Sequence, residues 1–146
     1  MISIKQINKR DIDLCYELDS KTISLWSKKQ WANEFKKEGI KVFGLLLSNC
    51  VIGICVFHVV LDEAQINFFA VNHKYRKKGF GTYLMSYLIK ECEKLKINKL
   101  LLEVSHTNFT AEKFYSHFDF YTVGIRTNYY KDGSDALLKE KKLTTK

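Results

Sequence analysis

With 146 residues, 46% of them hydrophobic, the chain has the size of one domain spanning 1–146, with apolar content enough for a single core. Its formal charge is +8, yet Arg10, Arg76 and Arg126 are the only arginines among 24 basic residues, so the forked side chains that read base edges are scarce and a nucleic-acid partner is not expected. No stretch approaches the roughly 20 apolar residues of a membrane helix, and residues 1–6 lack the basic-then-apolar order of a secretory signal, so a cytoplasmic protein with no membrane partner is expected.

Residues 1–7 alternate as a half-buried strand does, and residues 11–18 take helical spacing through Ile12, Cys15, Tyr16 and Leu18. Ser27 is placed to cap a second helix running through Trp31 to Phe35. Residues 42–47 and 51–61 form two strands joined by a tight polar turn at Ser48 and Asn49, and residues 64–71 make a third. Gly79 opens a long helix whose apolar stripe runs through Leu84, Leu88, Cys92 and Leu95. Residues 99–104 then read as a strand covered on both faces. Asn108 caps a short helix through Tyr115, and two last strands, near residues 120–128 and 135–143, flank a turn at Lys131, Asp132 and Gly133. The order β-α-α-β-β-β-α-β-α-β-β predicts a mixed α/β sheet with helices on both faces. Lysines concentrated in residues 139–146 read as a solvated tail.

Between the strand ending at Val71 and the helix beginning near Gly79 lies the run from Arg76 through Lys77, Lys78, Gly79, Phe80 and Gly81 to Thr82. Two glycines allow a close approach of the backbone, and the new helix turns free N–H groups and its positive dipole end toward the loop, so an anion is the expected ligand. Neither the Gly-x-x-x-x-Gly-Lys phosphate loop nor the Gly-x-Gly-x-x-Gly dinucleotide fingerprint is present, which argues against ATP, GTP and NAD.

This run resembles the R/Q-x-x-G-x-G/A motif of the GNAT acetyltransferases. Asn108 and Ala111, followed by Tyr115 and the Asp119-Phe120 pair, resemble that family's N-x-x-A-x-x-x-Y-x-x-x-G-F segment. Within the family, residues 60–64, residues 126–130 and the Trp26-Ser27 pair are most similar to the bacterial ribosomal-protein alanine N-acetyltransferase (RimI) group. The resemblance implies the GNAT fold with about seven strands and four helices. It also implies acetyl-CoA as co-substrate, and as acceptor the amino-terminal alanine of small-subunit ribosomal protein S18. Leu25, His73 and Asp119 depart from the family pattern at positions usually held by Pro, Pro and Gly; none of the three removes a chemical group.

Acetyl transfer to an amine needs a proton acceptor, because an α-amino group with pKa about 7.7–8.0 is partly protonated at neutral pH. Glu103, at the end of the most apolar strand, meets that need, and the resemblance assigns it the role. Tyr115 is the implied acid toward the departing sulfur. Backbone N–H groups around Phe69, Ala70 and Val71 are expected to polarise the thioester carbonyl. Lys77, Lys78, Gly79, Phe80, Gly81 and Thr82 would hold the pyrophosphate, and Asn108 the pantetheine arm or its own loop. Trp26, Tyr129 and Tyr130 are expected at the acceptor. A covalent acetyl-enzyme would need a Cys or Ser beside a His, but Cys15 and Cys92 fall on apolar stripes, so direct transfer is expected. The four histidines lack metal-site spacing, and no metal is expected. Two other readings stand beside this one: the same fold acting on a small amine such as a polyamine or antibiotic, and a non-catalytic module that binds acetyl-CoA or RNA.

Overall fold

A computed structural model describes residues 1–143. Seven strands form one sheet in the order β1-β2-β3-β4-β5-β7-β6. They are β1 (Ile2–Gln6), β2 (Ile40–Leu47), β3 (Cys50–Val60), β4 (Glu63–Val71), β5 (Lys99–Ser105), β6 (Tyr121–Arg126) and β7 (Ala136–Lys142). The helices are α1 (Ile12–Ser20), α2 (Lys28–Phe35), α3 (Phe80–Lys94) and α4 (Phe109–His117). This is the mixed α/β architecture the sequence pattern predicts.

Local chemistry accounts for most of the boundaries. Ser27 accepts from the Gln30 amide while the Gln30 side chain accepts from the Ser27 amide, a capping box that starts α2. Ser48 and Asn49 both take positive φ, 50° and 68°, the pair of left-handed residues that matches a two-residue hairpin to the twist of β2 and β3. Asp119, where the family pattern has Gly, also sits at φ 67°, so the left-handed turn is kept with a residue that tolerates it. Leu84, Leu88 and Cys92 are buried on α3 as expected, together with Met85. Leu95 lies at the helix end and is 47% exposed, so the stripe closes on Cys92 instead.

The sheet separates two cores. On one face Leu84, Met85 and Leu88 of α3, with Phe114 and Tyr115 of α4, pack on Phe57, Ile66, Leu100 and Leu102. On the other face Cys15 and Leu18 of α1 and Trp31 of α2 pack on Ile54, Val56, Phe68 and Ala70. The expected lysine tail begins differently. Lys139 is 3% exposed on β7 and its Nζ lies 3.1 Å from Glu112 Oε1 on α4, because β7 is an interior strand and Lys139 stands opposite the core residue Leu102, beneath α4. Lys146 lies outside the described residues.

One buried carboxylate fixes the connection between α1 and α2. Asp19 is fully buried and accepts from the Leu25 amide at 2.7 Å, the Trp26 amide at 2.9 Å and the Trp31 indole N–H at 2.9 Å. Removing it leaves three donors without an acceptor in a region closed to water. Asp19→Ala is therefore expected to cost about 2–4 kcal/mol in urea unfolding, with the loop carrying Trp26 the first part to lose amide protection.

Candidate active site

β4 runs beside β3 along its whole length, from Glu63 opposite Val60 to Val71 opposite Gly53. Its parallel pairing with β5 stops after three positions, Glu63 with Lys99, Ala64 with Leu100 and Gln65 with Leu101. A bulge follows at once, since Ile66 faces Phe57 and Phe68 faces Val56 with Asn67 between them. Beyond the bulge the two strands splay, and the β5-side edge of β4 up to Val71 offers backbone groups with no strand to receive them.

A cleft of about 550 Å³ opens at this wedge. Phe69, Ala70 and Val71 line one side, and Asn108, Thr110, Ala111, Phe114 and Tyr115 line the other. Its end is closed by Arg76, Lys77, Gly79, Gly81 and Thr82. Lys77 and Gly79 both take left-handed backbone, φ 61° and 82°, which folds the loop back on itself. Tyr83 makes the first i→i−4 bond of α3, to Gly79, so the amides of residues 80–82 are left free at the head of a 15-residue helix. Free amides, a positive helix end and two exposed cations make a receptor for a polyanion. A Cβ at Gly81 would meet the Phe114 ring at 3.4 Å, an ordinary van der Waals contact, so the head of α3 lies directly beside α4 at the cleft.

Tyr115 packs edge-on against Phe69 and Phe120 at 6.4 and 5.6 Å, on the α4 side of the sheet. Burial, and next the nearby Cys55, push its phenol above the ordinary range, so it keeps its proton at neutral pH. Glu103 lies on β5 between Leu102 and Val104, which point into the α3–α4 core, and therefore faces the opposite side of the sheet. Its Oε1 stands 3.9 Å from the Arg126 guanidinium, while Oε2 is buried and has no hydrogen-bond partner among the described residues. The wedge thus has a phenol on one side and a half-satisfied carboxylate on the other. Arg126 in turn lies 5.5 Å over the Tyr129 ring, and Tyr129 meets Tyr130 edge-on at 5.1 Å. Burial first, then the Glu103 charge, raise the Tyr130 phenol, which marks Tyr130 as a neighbour of Glu103.

A family model described as the acetyltransferase (GNAT) family matches residues 7–120. The chain belongs to the GNAT family. Among its relatives is the ribosomal protein bS18-alanine N-acetyltransferase of Escherichia coli K12, 31% identical over 131 residues that cover 89% of this chain and 88% of the relative. The crystal structure of the ribosomal-protein-S18-alanine N-acetyltransferase from Escherichia coli superposes with a TM-score of 0.93 at 30% identity, covering 100% of this chain and 96% of the other. A GNAT family acetyltransferase from Elizabethkingia anophelis with acetyl-CoA bound has the same fold, with a TM-score of 0.80 at 20% identity, covering 97% of this chain and 98% of the other.

Of the residues picked out in the sequence, the GNAT cleft gathers Phe69, Ala70, Val71, Lys77, Gly79, Gly81, Thr82, Asn108 and Tyr115. Lys78 is exposed outside the cleft lining, and the Phe80 ring turns into the core against Tyr75, leaving only its backbone at the helix head. Asn108 spends its side-chain oxygen on the Ala111 amide as the α4 cap. Glu103, Tyr129 and Tyr130 form the separate group on the opposite face. Trp26 is half-buried against Trp31 and Phe68 at 4.9 and 5.7 Å, packed in the α1–α2 core. Sequence reasoning missed Arg126 beside Glu103, and Thr110 and Phe114, which share a helical face with Ala111 and Tyr115. Helical spacing from Asn108 carries that signal. Ile23, an exposed loop residue at the cleft, carries no such signal.

Among the described residues no group of His, Cys, Asp and Glu could hold a metal, and no helix is long and apolar enough to cross a membrane. Burial pushes the Cys15 and Cys92 thiols up to about 12 and raises Cys55 as well, so none of the three is a thiolate near neutrality. Iodoacetamide at pH 7.5, a test condition of roughly neutral pH chosen below all three raised thiols, is expected to add one carbamidomethyl group to the folded protein, at exposed Cys50. Intact-mass and peptide mapping before and after urea check the count.

Proposed function

We propose that the chain is a cytoplasmic, single-domain acetyl-CoA-dependent N-acetyltransferase acting on the amino-terminal alanine of ribosomal protein S18. The reaction and the acceptor rest on the relatives' named activity over nearly the whole chain. One structural observation carries the mechanism: the splayed wedge between β4 and β5 has Tyr115 on one face and the unpartnered oxygen of Glu103 on the other.

The residues present fit acetyl-CoA. The free amides at the head of α3, with Arg76 and Lys77, suit its pyrophosphate, and the apolar cleft walls at Val71, Ala111 and Phe114 suit the pantetheine arm. When bound it supplies a thioester, whose carbonyl carbon is the electrophile. Unpaired β4 amides near Phe69 and Ala70 polarise that carbonyl and hold the negative charge that develops on its oxygen. Glu103 takes the proton released as the amine nitrogen bonds to carbon, through the oxygen that has no other partner. Tyr115 turns its hydroxyl toward the sulfur as the C–S bond breaks. Because its proton is held more tightly than an ordinary thiol's, with pKa about 8.5, the phenol stabilises the thiolate chiefly by donating a hydrogen bond, and solvent completes the protonation.

The Tyr129–Tyr130 turn beside Glu103 supports a peptide acceptor, since two aromatic rings at the carboxylate offer apolar and hydrogen-bonding surface to a chain terminus. Intact-mass assay against amino-terminal peptides and small amines is expected to find an alanine-leading S18 peptide as the preferred acceptor. Faster acetylation of spermidine would replace this reading with the small-amine one.

Glu103→Gln is expected to lower turnover about 10²–10⁴-fold, most severely at low pH where few acceptor amines are neutral, with partial recovery above their pKa. Tyr115→Phe should lower kcat and leave acetyl-CoA affinity unchanged, because the ring that lines the cleft is kept. Paired pH–rate profiles and calorimetric titrations check both, and wild-type turnover in either variant would remove that residue from the chemistry.

A further inference from the structure

The turn that carries Tyr129 and Tyr130 is held through one buried polar residue, Ser134, in an otherwise mostly exposed connection. Ser134 is 7% exposed. Its carbonyl accepts from both the Tyr129 and the Tyr130 amides, each at 3.1 Å. Its amide and its hydroxyl both donate to Asp132 Oδ1, at 2.9 and 2.6 Å, and its hydroxyl accepts from Ser105 Oγ at 3.0 Å. Those two donated bonds, the hydroxyl's first, also hold the Asp132 carboxyl below its ordinary range.

Ser105 stands two residues after Glu103 on β5, on the same face of the sheet. The contacts therefore close a ring: Glu103 to Ser105 along the strand, Ser105 to Ser134, Ser134 to the two tyrosine amides, and Tyr129 under Arg126, which returns to Glu103. Connecting segments ordinarily leave their polar groups to water. Here a buried serine is fixed through its side chain to Asp132 and Ser105, while its carbonyl holds the amides of a pair of tyrosines, one of them half exposed, that make little contact with either core. Fold stability alone does not require exposed aromatics to be set at a fixed distance from a carboxylate.

We infer that Ser134 and Asp132 are positioning residues for acceptor recognition: they pin the Tyr129–Tyr130 turn to the end of β5, so that the acceptor's first residues are presented to Glu103. This rests on the proposed peptide-acetylating activity. Ser134 touches neither the cleft nor Glu103, so its effect passes through the turn and leaves acetyl-CoA binding alone.

The test uses the full-length wild type and Ser134→Ala, Asp132→Ala and Asp132→Asn, each verified as folded by its thermal transition. Hydrogen exchange reads the pin directly, without any substrate. The amides of Tyr129 and Tyr130 should exchange at least about tenfold faster in Asp132→Ala, which loses two accepted bonds. Asp132→Asn should keep most of the protection, because its amide oxygen can accept both. Steady-state kinetics with the alanine-leading peptide should then show acceptor KM raised about five- to tenfold in Ser134→Ala and Asp132→Ala. In the same variants kcat and acetyl-CoA Kd should stay within about twofold, and Asp132→Asn should recover most of the KM. Faster exchange with unchanged acceptor KM would overturn the recognition role, and unchanged exchange would overturn the pin itself. If the wild type acetylates no amino-terminal peptide, the functional reading falls and takes the recognition role with it, while the exchange measurement still decides whether Ser134 holds the turn.

Discussion

The parting of β4 from β5 is the constraint on which the rest of the site depends. Both strands run on for several residues past Gln65 and Leu101, yet their pairing stops there. The bulge at Asn67 turns β4 aside and reverses which face its later residues serve, so Ile66 belongs to the α3–α4 core and Phe68 to the α1–α2 core. Asn67 is tied down at that point by its bond to the buried Glu34, whose other oxygen lies 2.7 Å from Lys37. One inserted residue thus opens the sheet, exposes a row of backbone donors and decides which side chains line the opening.

Everything polar around the wedge follows from this geometry. The head of α3 can point at the gap because the 76–79 loop folds back through left-handed residues at Lys77 and Gly79. Tyr115 reaches the gap from α4, and α4 is itself tied to the sheet by the partly buried ion pair between Lys139 and Glu112, one turn before Tyr115. Glu103 can face the other side because strand alternation allows nothing else once Leu102 and Val104 are committed to the core. The phenol and the carboxylate thus lie on opposite faces of the same sheet.

Much of this was legible in the chain. The helix and strand pattern, the capping residues Ser27 and Asn108, and the glycine loop before α3 all rest on local rules, and the structure keeps each of them. What periodicity could not supply was the order of strands, above all the insertion of β7 between β5 and β6, because pairing partners are set by tertiary contact. That omission explains the misread lysine: Lys139 sits in a basic tail only if β7 is imagined at an edge. It also explains why Arg126 escaped notice beside Glu103, since their approach depends on β6 and β5 flanking the same strand. Phe80 and Lys78 show the converse limit. A motif identifies which backbone turns toward an anion, but it does not say which side chains go with it.

The placement of β7 has one more consequence, for the way the molecule assembles. β6 precedes β7 in the chain yet touches the sheet only through it. β6 and β7 can pair with each other across the 127–135 turn, but until β7 docks on β5, Arg126 has no Glu103 to approach and Ser134 no Ser105 to meet. The Glu103–Arg126–Tyr129 group therefore closes in the one step that docks the β6–β7 hairpin on β5, whereas α3 makes its main strand contacts with β3 and β4, which precede it in the chain. The two sides of the wedge differ in contact order, and a partly unfolded molecule can hold the glycine loop and α3 without the Glu103 side.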